Sequence, residues 1–197
     1  MTGLFYAQYY PEFRVLKMMR RIQVLLLVPL LFISCKKGKH NEEACNGDTR
    51  REVKLLTDVL AASLDTAAET ISLAAIGDLP VPEVKSETGR QNLELKVYTV
   101  RATVDKVKVE RDGDYHIRLK DGDNYLITEC PNPGCVYAEG SPYLSVFRQV
   151  RDFIDANELE GRTVSVTGVA FVDIDHHYKR KQAKNNIELH PILRISF

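Results

Sequence analysis

The sequence contains no tryptophan, only four cysteines, and no excess of charge of either sign, with 27 Lys+Arg against 27 Asp+Glu in 197 residues. Zero net charge removes the global attraction that carries many nucleic-acid binders to their targets. Only a local basic patch is left as a route to a polyanion. Four cysteines are too few for a disulfide scaffold to stand in for a hydrophobic core. Long apolar runs are also missing: Ile22 to Ile33 is interrupted by Gln23 and Pro29 and falls short of the roughly 20 residues a membrane span needs. No repeat or low-complexity segment appears. What remains is a chain of ordinary globular composition, 44% apolar, long enough for one domain with appendages.

The N-terminus reads as an address. Lys17, Arg20 and Arg21 precede the apolar stretch, and Ser34 places a small residue before Cys35. A basic segment, a short apolar segment and a small residue make a secretory signal. The segment ending at Cys35 resembles the lipobox of bacterial lipoproteins, with Phe32 where that motif prefers Leu. The resemblance implies a signal peptide over 1–34 and lipidation of Cys35. Met18 and Met19 offer an alternative start, which would leave residues 1–17 untranslated. Acyl chains anchor stably because each buried methylene contributes about 0.8 kcal/mol, and Lys36, Lys37 and Lys39 would favour anionic headgroups. The expected place is the cell envelope, at the outer membrane facing the periplasm or cell surface. Membrane lipid is the first expected partner.

Residues 35–50 read as a lipidated tether and 51–96 as an N-terminal extension. Within the extension, Ser63-Leu64-Asp65 and Thr70 to Ile76 suggest short helical turns, ended by Gly77 and Pro80-Val81-Pro82. Residues 97–197 are expected to form the folded domain. Val97–Val109 alternates β-branched and polar residues, as a long strand does. Asp112-Gly113 and Asp121-Gly122 mark turns around a second strand, Tyr115–Lys120, and a third follows at Tyr125–Glu129. Ser141-Pro142 reads as a helix start, with Ser as cap. Tyr143, Phe147, Val150 and Ile154 then recur at helical spacing. Strands follow at Arg162–Phe171 and Ile187–Ile195. Three meander strands, a helix and two further strands make the layout of the mainly β, five-stranded OB barrel.

Outside the cytoplasm the cysteines other than Cys35 tend to oxidise. Cys130 and Cys135 bracket a turn-rich loop and are the expected pair, with Cys45 bonding to either as the competing arrangement. One C-x4-C pair without a second does not make a structural zinc site.

In an OB barrel the loops between strands one and two and between strands four and five flank the ligand face. Asp114, His116, Glu129, Asp173, His176, Glu188 and His190 fall on or near that rim. Gathered there, they would hold a divalent metal or act as acid and base. The competing reading is that they satisfy turns and strand ends. Tyr178, Lys179, Arg180, Lys181 and Lys184 make the second loop basic and aromatic, which suits a polyanion. A solvated loop is the alternative.

Several segments carry a resemblance: Val53-Lys54 with Thr57-Asp58, then Glu110 to His116, and Glu129, Pro131, Pro133 and Cys135. Further on come Ser141-Pro142, Val166-Thr167-Gly168-Val169, Phe171, Asp173, His176, Asn185 and Ile187-Glu188-Leu189-His190-Pro191. Together they resemble a family of exported bacterial proteins and lipoproteins to which no activity is attached. The chain departs from that pattern at Cys130, where the family has an apolar residue, and at Lys179–Lys184, where it has glycines. The Asp112-Gly113-Asp114 turn also resembles that of thermonuclease-like enzymes, whose arginine and glutamate spacing is absent. In layout alone the chain is similar to small secreted OB-fold proteins linked with envelope stress. The primary expectation is therefore a lipid-anchored OB-like binding domain for a polyanionic or protein partner, without a resident cofactor. A metal-dependent hydrolase or nuclease and a non-catalytic structural component of the envelope are the alternatives.

Overall fold

The computed structural model describes residues 45–47, 49–175 and 181–197. The signal segment, Cys35, His176, Tyr178, Lys179 and Arg180 lie outside the described residues. Among the described residues no helix is long and apolar enough to cross a membrane.

The domain is mainly β, with short helices. Helix α1 spans Arg51–Leu55, strand β1 Asp65–Thr70 and helix α2 Leu73–Gly77. The remaining strands are β2 Lys96–Val109, β3 Tyr115–Asp121, β4 Asn124–Cys130, β5 Thr163–Val172 and β6 Ile187–Ser196, with helix α3 at Leu144–Asp155 before β5. The sheet order is β1-β2-β3-β4-β6-β5, and β2 also pairs with β5, which closes the last five strands into a barrel. The β4–β6 pairing is parallel while the other barrel pairings are antiparallel. This is the OB arrangement expected from the order of the elements.

Strand β2 closes the barrel because it is long enough to serve two neighbours. Its first half, Val97–Thr103, pairs with β5, and its second half, Thr103–Val109, pairs with β3. A register shift between Val104 and Lys106 divides the two halves, as a bulge does where a strand must bend. Tyr98, Val100, Ala102 and Val104 are buried in one cluster, so alternation supplies one face to the core. Gly168 on β5 allows the close crossing with β6. A Cβ at this position would lie 2.9 Å from Leu189 Cβ and 3.0 Å from the Pro191 carbonyl oxygen.

Helix α3 buries Phe147, Val150 and Ile154, which recur on one helical face. It begins at Leu144, later than Ser141-Pro142 suggests. The Ser141 hydroxyl is used elsewhere: it donates to the Leu55 carbonyl at 2.6 Å and accepts from the Tyr143 N–H at 3.1 Å. Ser141 therefore ties α1 to the barrel and does not cap the helix.

The extension differs from its sequence reading in one element. Asp65, read with Ser63 and Leu64 as part of a helical turn, instead opens an exposed strand over 65–70 that runs parallel to β2. Its ladder bonds to the edge of β2 outweigh the helix propensity of alanine. Thr70 to Ile76 does lead into a helical turn, α2, whose Ser72 side chain accepts from the Ala75 N–H at 3.1 Å.

Buried arginines hold the extension on the barrel. Arg50 donates from both terminal nitrogens to Glu94, at 2.8 and 2.7 Å, and to the Val172 carbonyl on β5 at 2.7 Å. Arg90 grips Asp58 and donates to the Val53 and Glu94 carbonyls. Every charge is met by an opposite charge or a carbonyl, as burial requires.

The disulfide joins Cys45 to Cys135, with Cα atoms 5.6 Å apart, and this corrects the expected Cys130–Cys135 bond. Cys130 ends β4 and turns inward, fully buried, its Sγ 3.6 Å from the Phe147 carbonyl oxygen. Strand alternation thus commits Cys130 to the core and leaves Cys135, at the end of the turn, to meet the tether. Burial pushes the Cys130 thiol well above its ordinary range.

Candidate functional site

The turn between β2 and β3 and the segment after β5 meet at one end of the barrel. Gly113, with φ of 84°, makes the first turn, and the Glu110 N–H donates to the Asp114 carbonyl at 2.9 Å. A polar cavity of about 730 Å³ opens there. Lys108, Glu110, Arg111 and Asp112 line one wall, and Asp173, Lys181 and Gln182 another. His116 and Arg118 of β3, Glu129 of β4, Glu188 of β6 and Lys54 of α1 also face it.

Beneath this cavity lies a buried cluster. Asp114, Glu129 and His190 are only 6%, 7% and 1% exposed, and one ligand-type atom of each lies within 4.8 Å of the others. His190 stands between the two carboxylates. Its Nδ1 is 2.8 Å from Glu129 Oε2, and its Nε2 is 3.7 Å from Asp114 Oδ2. The first distance is short, yet neither ring nitrogen makes an aligned hydrogen bond. The contact with Glu129 is close but lacks the alignment of a well-directed hydrogen bond. Asp114 Oδ1 accepts from the Asn132 N–H at 2.8 Å.

Register explains the neighbours. His116 and Glu129 are direct partners across β3 and β4, and His116 Nε2 lies 4.0 Å from Glu129 Oε1 and 3.9 Å from Glu110 Oε1. Lys54 Nζ is 3.9 Å from Glu129 Oε2 and 5.4 Å from the centre of the Phe171 ring.

Burial sets the charge states, with the local partners deciding the rest. Asp114 is pushed up to about 8, first by burial and then by Asp112 and Glu129. Burial would also raise Glu129, but His190, Lys54 and His116 outweigh it and hold the carboxyl below its ordinary range. Burial lowers both histidines. Lys54 would be lowered by burial, yet the carboxylates of Glu129, Glu188, Asp173 and Asp114 raise it. Near neutral pH the cluster thus holds a protonated Asp114, a neutral His190 and an ionised Glu129 facing the Lys54 ammonium.

The sequence-derived candidates divide. Asp114, His116, Glu129, Glu188 and His190 gather at or under the cavity, and Asp173 and Lys181 line its wall. Lys184 does not line the cavity; it pairs with Asp78 beside α2. Asn185 donates to the Ile76 and Leu79 carbonyls, at 2.9 and 3.0 Å, and so anchors the extension. Lys54, Lys108, Arg111 and Arg118 were not legible as site residues. Lys108 and Arg118 sit on alternating strands, where the pattern Lys-Val-Lys-Val-Glu signals only an exposed face. Lys54 arrives from an element outside the barrel.

No family model and no curated protein matches the chain. Among solved structures it is similar to a protein assigned as an aspartyl-tRNA synthetase in Leishmania major, at 14% identity and a TM-score of 0.41, over 66% of this chain and 20% of that one. It is likewise similar to the asparaginyl-tRNA synthetase of Entamoeba histolytica, at 12% identity and a TM-score of 0.40, over 66% of this chain and 23% of that one. This chain therefore spans less than a quarter of the length of either. Identity at this level assigns no residue a role.

Proposed function

We propose that the protein is an envelope lipoprotein, acylated at Cys35, whose OB-like barrel binds a polyanionic ligand at the cavity between the β2–β3 turn and the segment after β5. The observation that carries the binding reading is one polar cavity, with Lys108, Arg111, Arg118 and Lys181 in its lining, on the end of the barrel that OB domains use for ligands. The same cavity carries the carboxylates of Glu110, Asp112, Glu129, Asp173 and Glu188, and Lys108 and Arg118 pair with Glu110 and Asp105, so a polyanion is met by individual cations and not by a net positive field. The anchoring reading is supported by the basic segment, the apolar stretch and the Ser34-Cys35 junction.

Two experiments test these parts separately. Fluorescence anisotropy with labelled heparin and with a labelled single-stranded oligonucleotide, at low and moderate salt, tests the rim. Binding that weakens with salt and falls in the Arg111→Glu/Lys181→Glu variant supports the reading. No binding at low salt overturns it. Mass spectrometry of the mature N-terminus tests the anchor, and an unmodified peptide running through Cys35 overturns it.

A further inference from the structure

The three side chains of the buried cluster are arranged as co-ligands of one ion. Two groups joined by a hydrogen bond point at each other. Two ligands of the same metal sit side by side, about 3 Å apart, because each points at a third position about 2.1 Å away. Glu129 Oε2 and His190 Nδ1 show the second relationship: they are 2.8 Å apart without an aligned hydrogen bond. The other ring nitrogen is also without a hydrogen bond, although the residue is almost wholly buried. Its nearest carboxylate oxygen, Asp114 Oδ2, lies at 3.7 Å, too far for a hydrogen bond, while one ring nitrogen and one oxygen of each carboxylate fall within 4.8 Å of one another. A buried imidazole with two orphaned nitrogens between two carboxylates is costly unless something satisfies it.

We propose that Asp114, Glu129 and His190 bind one first-row divalent metal ion, of which zinc is the best match. Imidazole with carboxylates selects such ions over calcium or magnesium, which prefer oxygen ligands throughout. One ring nitrogen of His190 and one oxygen of each carboxylate lie close enough together to share the ion. Asp114 also lines a small cavity of about 160 Å³ with Gly47, Thr49 and Tyr137. Glu129 lines the larger cavity on the other side. The ion thus has routes in, and three protein ligands leave a position for water or for a ligand group. The site does not depend on the anchor or on the rim, so it stands or falls apart from polyanion binding.

The test uses the full chain in detergent, treated with chelator and returned to zinc or cobalt. The expected result is one equivalent of zinc per chain, a raised unfolding temperature, and visible cobalt bands that zinc displaces. Asp114→Asn and Glu129→Gln preserve side-chain shape and are expected to weaken zinc binding by at least about tenfold. Glu158→Gln, which alters an exposed carboxylate away from the trio, is expected to leave stoichiometry unchanged. Circular dichroism of each variant separates metal loss from unfolding, which matters more for the fully buried His190. Substoichiometric zinc in the folded wild type overturns the proposal. So does undiminished affinity in folded Asp114→Asn, loss of the ion in Glu158→Gln, or a cobalt–thiolate band, which would place the ion on a cysteine.

Discussion

Cys135 is bonded to Cys45, ninety residues before it in the chain. The bond pins the start of the described chain beside the β2–β3 turn, where Gly47 packs against Asp112 and Asn46 and Thr49 line the large cavity. One covalent link therefore sets both the stability of the domain and the shape of its ligand end.

Removing that link is expected to destabilise the domain substantially. A loop this long gives about 4.6 kcal/mol in the chain-entropy view, and losses on the order of 2–5 kcal/mol are typical for native disulfides. Cys45→Ser should lower the urea midpoint accordingly. Non-reducing peptide mapping should recover Cys130 as a free thiol, alkylated only after unfolding, because it is buried and held protonated. Rapid labelling of native Cys130 would contradict this arrangement.

The Arg50–Glu94 pair predicts a characteristic double-mutant pattern. Both side chains are fully buried. Glu94→Leu or Arg50→Met alone leaves an uncompensated buried charge and is expected to cost about 3–5 kcal/mol. The double variant Arg50→Met/Glu94→Leu should cost less than the sum of its parts, as read by urea unfolding of all four proteins. Additive losses would mean that the two residues act independently.

Gly168 should not tolerate a side chain. The β5–β6 crossing leaves a Cβ only 2.9 Å from Leu189 Cβ, and both partners lie in the packed core. Gly168→Ala is expected to lose about 1–3 kcal/mol, as overpacking does. An unchanged thermal midpoint would show that the crossing can open without cost.

Asp114 makes the stability of the metal-free protein depend on pH in an unusual direction. Its folded pKa, about 8, stands above its ordinary value of 3.8, so between these values the folded state holds a proton that the unfolded state has released. The contribution is fully present below about pH 4 and is lost as pH rises through 8. Glu129, held low, acts oppositely, contributing above its ordinary range and losing that contribution as pH falls. Asp112, Lys54, His190 and Glu129 are the charged or titratable groups bearing on this site. In chelator, the alkaline decline in urea midpoint should be smaller in Asp114→Asn than in wild type. An identical pH profile would contradict the assignment.

The barrel was legible because its signals are local. Alternation in β2, Gly113 and Gly122 in the turns, and Phe147, Val150 and Ile154 on α3 each report their own element, and the element order fixes the topology. Strand β1 was not legible, since Asp65–Thr70 has no apolar face and exists only through its pairing with β2. The disulfide was misassigned for a similar reason: nearness of Cys130 and Cys135 in sequence says nothing of the direction in which a strand end faces. The site was half legible. The polar residues of Asp114 to His116, Glu129 and Glu188 to His190 stand out in apolar strands. Lys54, brought in by α1, and the pairing of Lys184 with Asp78 depend on contacts that no spacing rule encodes.

Backbone amide shifts on titrating heparin into isotopically labelled protein test the placement of the ligand face most directly. The account predicts perturbations at Glu110, Arg111, Asp112, Lys181 and Gln182 that weaken with added salt. Perturbations confined to β1, or to the separate cavity lined by Val107, Leu159 and Glu160, would contradict it.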